Sequence, residues 1–108
     1  MNIAKEHVVG LVAMELQYAK ENHEDFHSLH ESYAVLLEEV EEAREDLERV
    51  ERKLNVLWQS VREDDCDAAL RQINEIEEAA VCLASEAIQV AAMAQKARGF
   101  LLSAHSEG

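Results

Sequence analysis

The sequence has no proline, three glycines and only five aromatic residues among its 108 positions. Proline and glycine mark most turns, so their scarcity leaves few places where the chain can change direction. The shortage of aromatic residues also argues against a β-sheet protein. Nearly half of the residues (48%) are nevertheless hydrophobic, with many Ala, Leu and Val. This composition predicts an all-α fold, with helices packed along their length in a single domain over residues 1–108.

Positive charge is also scarce, since ten Lys and Arg stand against 23 Asp and Glu, for a net charge of -13. Such a chain is repelled by nucleic acid and by anionic membranes, so we expect neither as a partner. There is no run of 18 apolar residues and no signal-peptide pattern at the start. Cys66 and Cys82 lack metal-ligand spacing. We therefore expect a cytoplasmic protein with reduced cysteines.

Apolar spacing predicts three helices, over about residues 3–20, 28–62 and 66–102. In the second and third helices, apolar residues follow one another alternately three and four apart, as in the seam of a coiled coil. The seam residues are Tyr33, Leu36, Val40, Ala43, Leu47, Val50, Leu54, Leu57 and Val61, then Ala69, Ile73, Ile76, Ala80, Leu83, Ala87, Val90, Ala94, Ala97 and Leu101. An antiparallel pairing about Glu63 and Asp64 sets Tyr33 opposite Ala94 and Leu54 opposite Ile73. A single antiparallel register therefore pairs the apolar residues along the whole of a long helical hairpin.

Two polar stretches separate these helices. In ENHEDFHS, the residues Asn22, Asp25 and Ser28 are each a candidate N-cap of the second helix. In REDDCD, either Asp65 or Asp67 is expected to cap the third helix. The final residues, SAHSEG, are expected to fray.

The third helix is apolar on most sides between Val81 and Ala94, where Cys82, Ile88 and Met93 add to the seam. A helix of this kind needs neighbours on most sides. One partner helix and a short first helix are too few to provide them. We therefore expect this stretch to be buried against a second chain.

The same register brings acidic residues together. Glu39 and Glu42 share one face of the second helix, and the positions opposite them are Glu86 and Gln89. Hard cations such as magnesium prefer oxygen ligands of this kind. Acidic helix faces are usually just solvated, an interpretation that suits acids such as Glu41 and Glu48. Glu86 differs, because it is the only charged residue between Ala79 and Gln95.

These motifs resemble those of the MazG-like, all-α nucleoside triphosphate pyrophosphohydrolases. LLEEVEEARE (residues 36–45) is similar to the family's first motif, a Glu-x-x-Glu pair, with Glu39 and Glu42 at the matching positions. SEAIQVAAMA (residues 85–94) looks like the second motif, Glu-x-x-Asp, as phage-type members have it, with Glu86 as its acid. HESYAVLLEE, which begins at His30, is also similar to the phage-type branch. Gln89 stands where the family usually has the aspartate.

The resemblance implies hydrolysis of a nucleoside or deoxynucleoside triphosphate between its α- and β-phosphates, dependent on Mg²⁺ (or Mn²⁺). The products would be the monophosphate and pyrophosphate, and the protein would be a homodimer or tetramer. Glu39, Glu42 and Glu86 would be the catalytic metal ligands, with Glu38 as a further candidate. Gln89 would be a weaker ligand that lowers metal affinity, because its amide carries no charge.

His30 and Tyr33, two turns before these acids, are candidates for substrate binding. The alternative function is a non-catalytic helical oligomerisation or interaction protein with a degenerate MazG-like site.

Overall fold

The computed structural model describes residues 2–107, with side chains for residues 4–104. It contains α1 (Asn2–Asn22), α2 (Leu29–Arg62) and α3 (Cys66–Glu107), and no strand occurs within residues 2–107. The predicted all-α fold is confirmed, and α2 and α3 pack as an antiparallel hairpin. α3 runs further than the sequence predicted, because no proline or glycine follows Leu101 before Gly108. Residues 103–107, which were predicted to fray, are helical in the structure.

Ser28 is the N-cap of α2. The backbone N–H of Glu31 donates to the Ser28 hydroxyl oxygen at 3.0 Å, and the Glu31 carboxylate accepts from the backbone N–H of His27 at 3.3 Å. The bond to Ser28 satisfies one amide that the first turn of a helix leaves without an intrahelical partner, and the bond from His27 ties the preceding residue to that turn. The other two candidates do not cap α2. Asn22 donates its side-chain amide to the carbonyl of Tyr18 at 2.9 Å, within α1.

The turn between α2 and α3 is closed by two aspartates. Asp64 has a left-handed backbone (φ 55°), and its N–H donates to the carbonyl of Val61 at 3.2 Å. The N–H of Asp65 donates to the carbonyl of Ser60 at 3.0 Å, which completes a Schellman motif. The Asp65 carboxylate then accepts from the N–H of Ala68 at 3.1 Å. Asp65, rather than Asp67, is thus the N-cap of α3, and the predicted turn at residues 63–64 is confirmed.

The chain forms two compact units, one discontinuous and one continuous in sequence. The first unit combines the residues up to Val40 with those from Ala87 onward. Its buried apolar core consists of Val12, Ala19, Phe26, Ala92, Met93 and Ala97. Ala92 and Met93 are therefore covered within the chain itself, by α1 and by the segment that carries Phe26. The expectation that this part of α3 needs a second chain is wrong for those two residues.

The second unit, Glu41–Glu86, is a two-helix hairpin. The buried Ser60 hydroxyl donates to Gln72 Oε1 at 2.8 Å, and Lys53 Nζ lies 3.0 Å from Glu75 Oε2. Ala79 is fully packed at 1% exposure. These contacts join α2 to α3 near the turn and part-way along the two helices.

Only half of the predicted seam is covered within this second unit. Ala43, Val50, Leu57, Ile76 and Leu83 are half-buried. The alternate positions Leu47, Leu54, Val61, Ile73 and Ala80 are exposed, with Leu54 at 56%. The single hairpin therefore leaves the second set of seam positions uncovered. Two helices enclose only a narrow strip between them, whereas both seam positions are covered in a four-helix bundle.

Candidate metal centre

The ion pair between Lys53 and Glu75 shows which residues of α2 and α3 lie opposite each other. Lys53 lies eleven residues after Glu42, and Glu75 lies eleven residues before Glu86. A register that places Lys53 beside Glu75 therefore also places Glu42 beside Glu86, since both helices run unbroken between these positions. This is the register predicted from the apolar seams.

The acids singled out from the sequence meet in the structure. Glu39, Glu42 and Glu86 each offer one carboxylate oxygen, and these three oxygens lie within 4.8 Å of one another. Glu39 and Glu86 are half-buried, and Glu42 is exposed. The exposed member leaves the group open to solvent, which is the access that a metal ion and a substrate both need.

The spacing of these oxygens fits a hard cation. Magnesium binds oxygen at about 2.0–2.1 Å in an octahedron, so its ligand oxygens stand about 3 Å apart when adjacent and about 4 Å apart when opposite. Small side-chain rotations would bring oxygens within 4.8 Å to these separations. Three carboxylates would supply enough negative charge for a divalent ion, and further positions would be left for water or phosphate.

A cavity of about 300 Å³ in the first unit adjoins two of the predicted residues. Glu39 and Gln89 both line it, together with Tyr18, His23, Phe26 and Met93 among others. The wall thus combines aromatic and apolar surface with a few polar groups, which is the usual lining of a small-molecule site. Gln89 is half-buried and stands one turn after Glu86 on α3.

The remaining candidates from the sequence lie elsewhere. Glu38 is exposed and does not belong to the group of three acids. His30 is exposed, Tyr33 is 65% exposed, and neither lines the cavity that contains Glu39 and Gln89. Tyr18 and His23 occupy that cavity wall instead. They come from α1 and from the residue just after it, so only the packing of the first unit brings them to the site.

Lys96 is the polar residue that sequence reasoning missed. It is only 8% exposed, its Nζ donates to the carbonyl of Glu24 at 2.8 Å, and it lies 4.6 Å from the centre of the Phe26 ring. A signal was present in the sequence, because Lys96 is the first basic residue after Arg71 and follows an apolar stretch of α3. Its partners could not be foreseen, since they lie some seventy residues earlier in an irregular segment.

No protein-family model matches the chain, and no curated protein or solved structure shows significant similarity to it. The MazG-like resemblance thus rests on the motifs quoted above and stays a prediction. Within the described residues, no helix is both long enough and apolar enough to cross a membrane.

Proposed function

We propose that this protein is a magnesium-dependent nucleoside triphosphate pyrophosphohydrolase, which releases pyrophosphate and a nucleoside monophosphate. The supporting observation is the convergence of Glu39, Glu42 and Glu86 within 4.8 Å. Two of these acids come from α2 and one from a stretch of α3 that has no other charge. A solvated acidic face would not require an acid at that position of α3.

A divalent cation would resolve a conflict between this chain and its substrate. With a net charge of -13, the protein repels a triphosphate at long range. Glu39, Glu42 and Glu86 would hold the ion. With the ion bound, the site would supply positive charge for the phosphates and an activated water for hydrolysis. The cavity that Glu39 shares with Tyr18, His23 and Phe26 is the proposed place for the nucleoside, because aromatic and polar groups meet there.

We further propose that the protein works as a homo-oligomer, a homodimer or tetramer, built on the second unit. Leu47, Leu54, Val61 and Ile73 recur at heptad spacing and are exposed in the single chain. When two such hairpins pair, these residues would face the interior of a four-helix bundle. A second copy is the natural occupant, since the same seven-residue spacing is present on both of its helices.

The enzyme hypothesis is tested by incubating the protein with each common nucleoside and deoxynucleoside triphosphate and measuring pyrophosphate. We expect release with magnesium or manganese and none in the presence of a chelator. Glu39→Gln should lower the rate by more than about 100-fold, because even groups that only hydrogen-bond to a metal ligand contribute about 10–100-fold. The matched control is Glu48→Gln, an exposed acid on the same helix. Retained activity in Glu39→Gln would refute the site assignment.

A non-catalytic helical interaction protein is the second candidate. Gln89 favours it, because this residue brings no charge to a position where the related motif has an acid. The exposed heptad residues favour it equally, because they would serve assembly whether or not catalysis occurs. The interaction-protein hypothesis would be supported if no triphosphate is hydrolysed at high protein concentration and magnesium does not raise the melting temperature.

A further inference from the structure

Lys96 is a buried lysine that contacts a backbone carbonyl and an aromatic ring. Its ammonium has three N–H donors. One is taken by the Glu24 carbonyl at 2.8 Å, and the face of Phe26 lies 4.6 Å away. Removing an ammonium from water is costly unless an anion or several hydrogen bonds compensate.

A second cavity, of about 420 Å³, opens beside this ammonium in the first unit. Its wall includes Lys20, Asp25, Gln95, Lys96 and Ser103. Two lysines and one carboxylate thus meet in a chain where acids outnumber bases by more than two to one. The amide of Gln95 and the hydroxyl of Ser103 add groups that can donate hydrogen bonds. Locally, the charge balance is the reverse of that of the whole protein.

This donor set matches a tetrahedral oxyanion. Lysine binds phosphate as a point charge, and an ammonium held out of water interacts with an anion more strongly than a solvated one does. Lys96 is held by the Glu24 carbonyl and the Phe26 ring, so less side-chain freedom is lost when an anion binds. Lys20, on α1, is exposed and lines the same cavity.

We propose that this cavity binds a phosphate group, either free orthophosphate or the phosphate of a small organic ester. Lys96 is the buried cation of the site, and Lys20 is its second positive charge. The site needs no metal and includes none of the three clustered acids, although Lys96 also lines the cavity that contains Glu39 and Gln89. Phosphate binding in the presence of a chelator is therefore measured separately from the proposed hydrolysis. The carboxylate of Asp25 and the overall negative charge of the protein lower the affinity for phosphate.

The test is a titration of the ¹⁵N-labelled protein with sodium phosphate in chelator-containing buffer, followed by amide chemical shifts. We expect saturable shifts confined to residues around Lys20, Asp25 and 95–103, and no such shifts with sodium chloride at equal ionic strength. Lys20→Gln should weaken phosphate binding at least about threefold, as expected for loss of one exposed charge partner. Lys5→Gln, another exposed lysine of α1, should leave it unchanged.

Lys96→Met should abolish the saturable shifts while Glu39→Gln retains them, which separates this site from the acid cluster. Lys96→Met also removes the hydrogen bond to Glu24. If Lys96→Met does not fold, the Lys20→Gln titration decides whether phosphate binds in this cavity. A parallel titration with methyl phosphate identifies the source. Tighter binding of the ester supports an organic phosphate, and tighter binding of orthophosphate supports the free ion. Equal responses to phosphate and chloride, or wild-type binding by Lys20→Gln, would overturn the proposal.

Discussion

Replacing Glu86 by glutamine should stabilise the metal-free protein. Its carboxylate oxygen lies within 4.8 Å of oxygens from Glu39 and Glu42. At that separation two unit charges repel by roughly 0.9 kcal/mol in a medium as polarisable as water, and by more where water is partly excluded. The substitution removes two such pairs and conserves the shape of the side chain. We expect the free energy of unfolding to rise by about 1–2 kcal/mol at low salt.

The same substitution should reverse its effect when magnesium is present. In the wild-type protein, magnesium at 100 times its dissociation constant would add about 2.7 kcal/mol of stability. With one of three charged ligands gone, Glu86→Gln should lose most of that gain. The variant would then be more stable than wild type in a chelator and less stable than wild type in saturating magnesium.

Urea denaturation followed by circular dichroism measures both effects. The protein concentration must be held constant, because association of chains also changes apparent stability. Glu48→Gln on the exposed face of α2 is the control for loss of one acidic charge. A salt series adds a second check, since the gain from removing repulsion should shrink as the ionic strength rises.

Two results would refute this reasoning. If Glu86→Gln destabilises the metal-free protein, the three carboxylates are not in mutual repulsion and some other contact of Glu86 dominates. If magnesium stabilises the variant and the wild-type protein equally, the ion binds elsewhere, and the acid cluster is not the metal centre.

Three further predictions concern other parts of the chain. Gln89→Asp should raise magnesium affinity and pyrophosphate release, because it adds a fourth negative charge one turn from Glu86; unchanged metal binding in a calorimetric titration would exclude Gln89 from the site. Leu54→Asn should shift the protein to a smaller species in sedimentation velocity, since it places an amide at the proposed bundle interior; an unchanged sedimentation coefficient would rule out that interface. Asp64→Gly should raise the unfolding free energy by about 0.5–1 kcal/mol, because glycine takes a left-handed conformation (φ 55°) without steric cost. A decrease in stability would mean that the Asp64 side chain itself contributes to the turn.

The hairpin could be predicted from the sequence because the apolar pattern that specifies it is local and repeats along both helices. Apolar residues recur over the length of α2 and α3, and a turn rich in aspartate leaves one consistent register. That register was sufficient to bring Glu39 and Glu42 to Glu86, which lies more than forty residues away in the chain. Periodicity, however, does not say which neighbours cover each seam position. Leu54 and Ile73, which the register sets opposite each other, are accordingly both exposed in the single chain.

The first unit was harder to predict because its contacts are long-range and involve an irregular segment. Phe26 lies in the connection between α1 and α2, where no helical periodicity exists to indicate its direction. Its burial against α3 determines the position of Lys96 and the walls of both cavities. Distance along α2 from the acids favours His30 and Tyr33 as substrate contacts, yet Tyr18 of α1 lines the cavity beside Glu39. Helical spacing alone carries no information about where a third helix packs.

The division of the chain into a continuous and a discontinuous unit has a consequence for folding. Residues 41–86 contain both helices of the second unit, so this hairpin can form from contacts close in sequence, which favours fast folding. The core of the first unit joins Val12 and Phe26 to Ala92 and Ala97, and these partners are separated by most of the chain. During synthesis α1 therefore emerges well before the residues that bury its apolar side. Until residues 87 and beyond are available, α1 is the segment most exposed to aggregation or to capture by a chaperone.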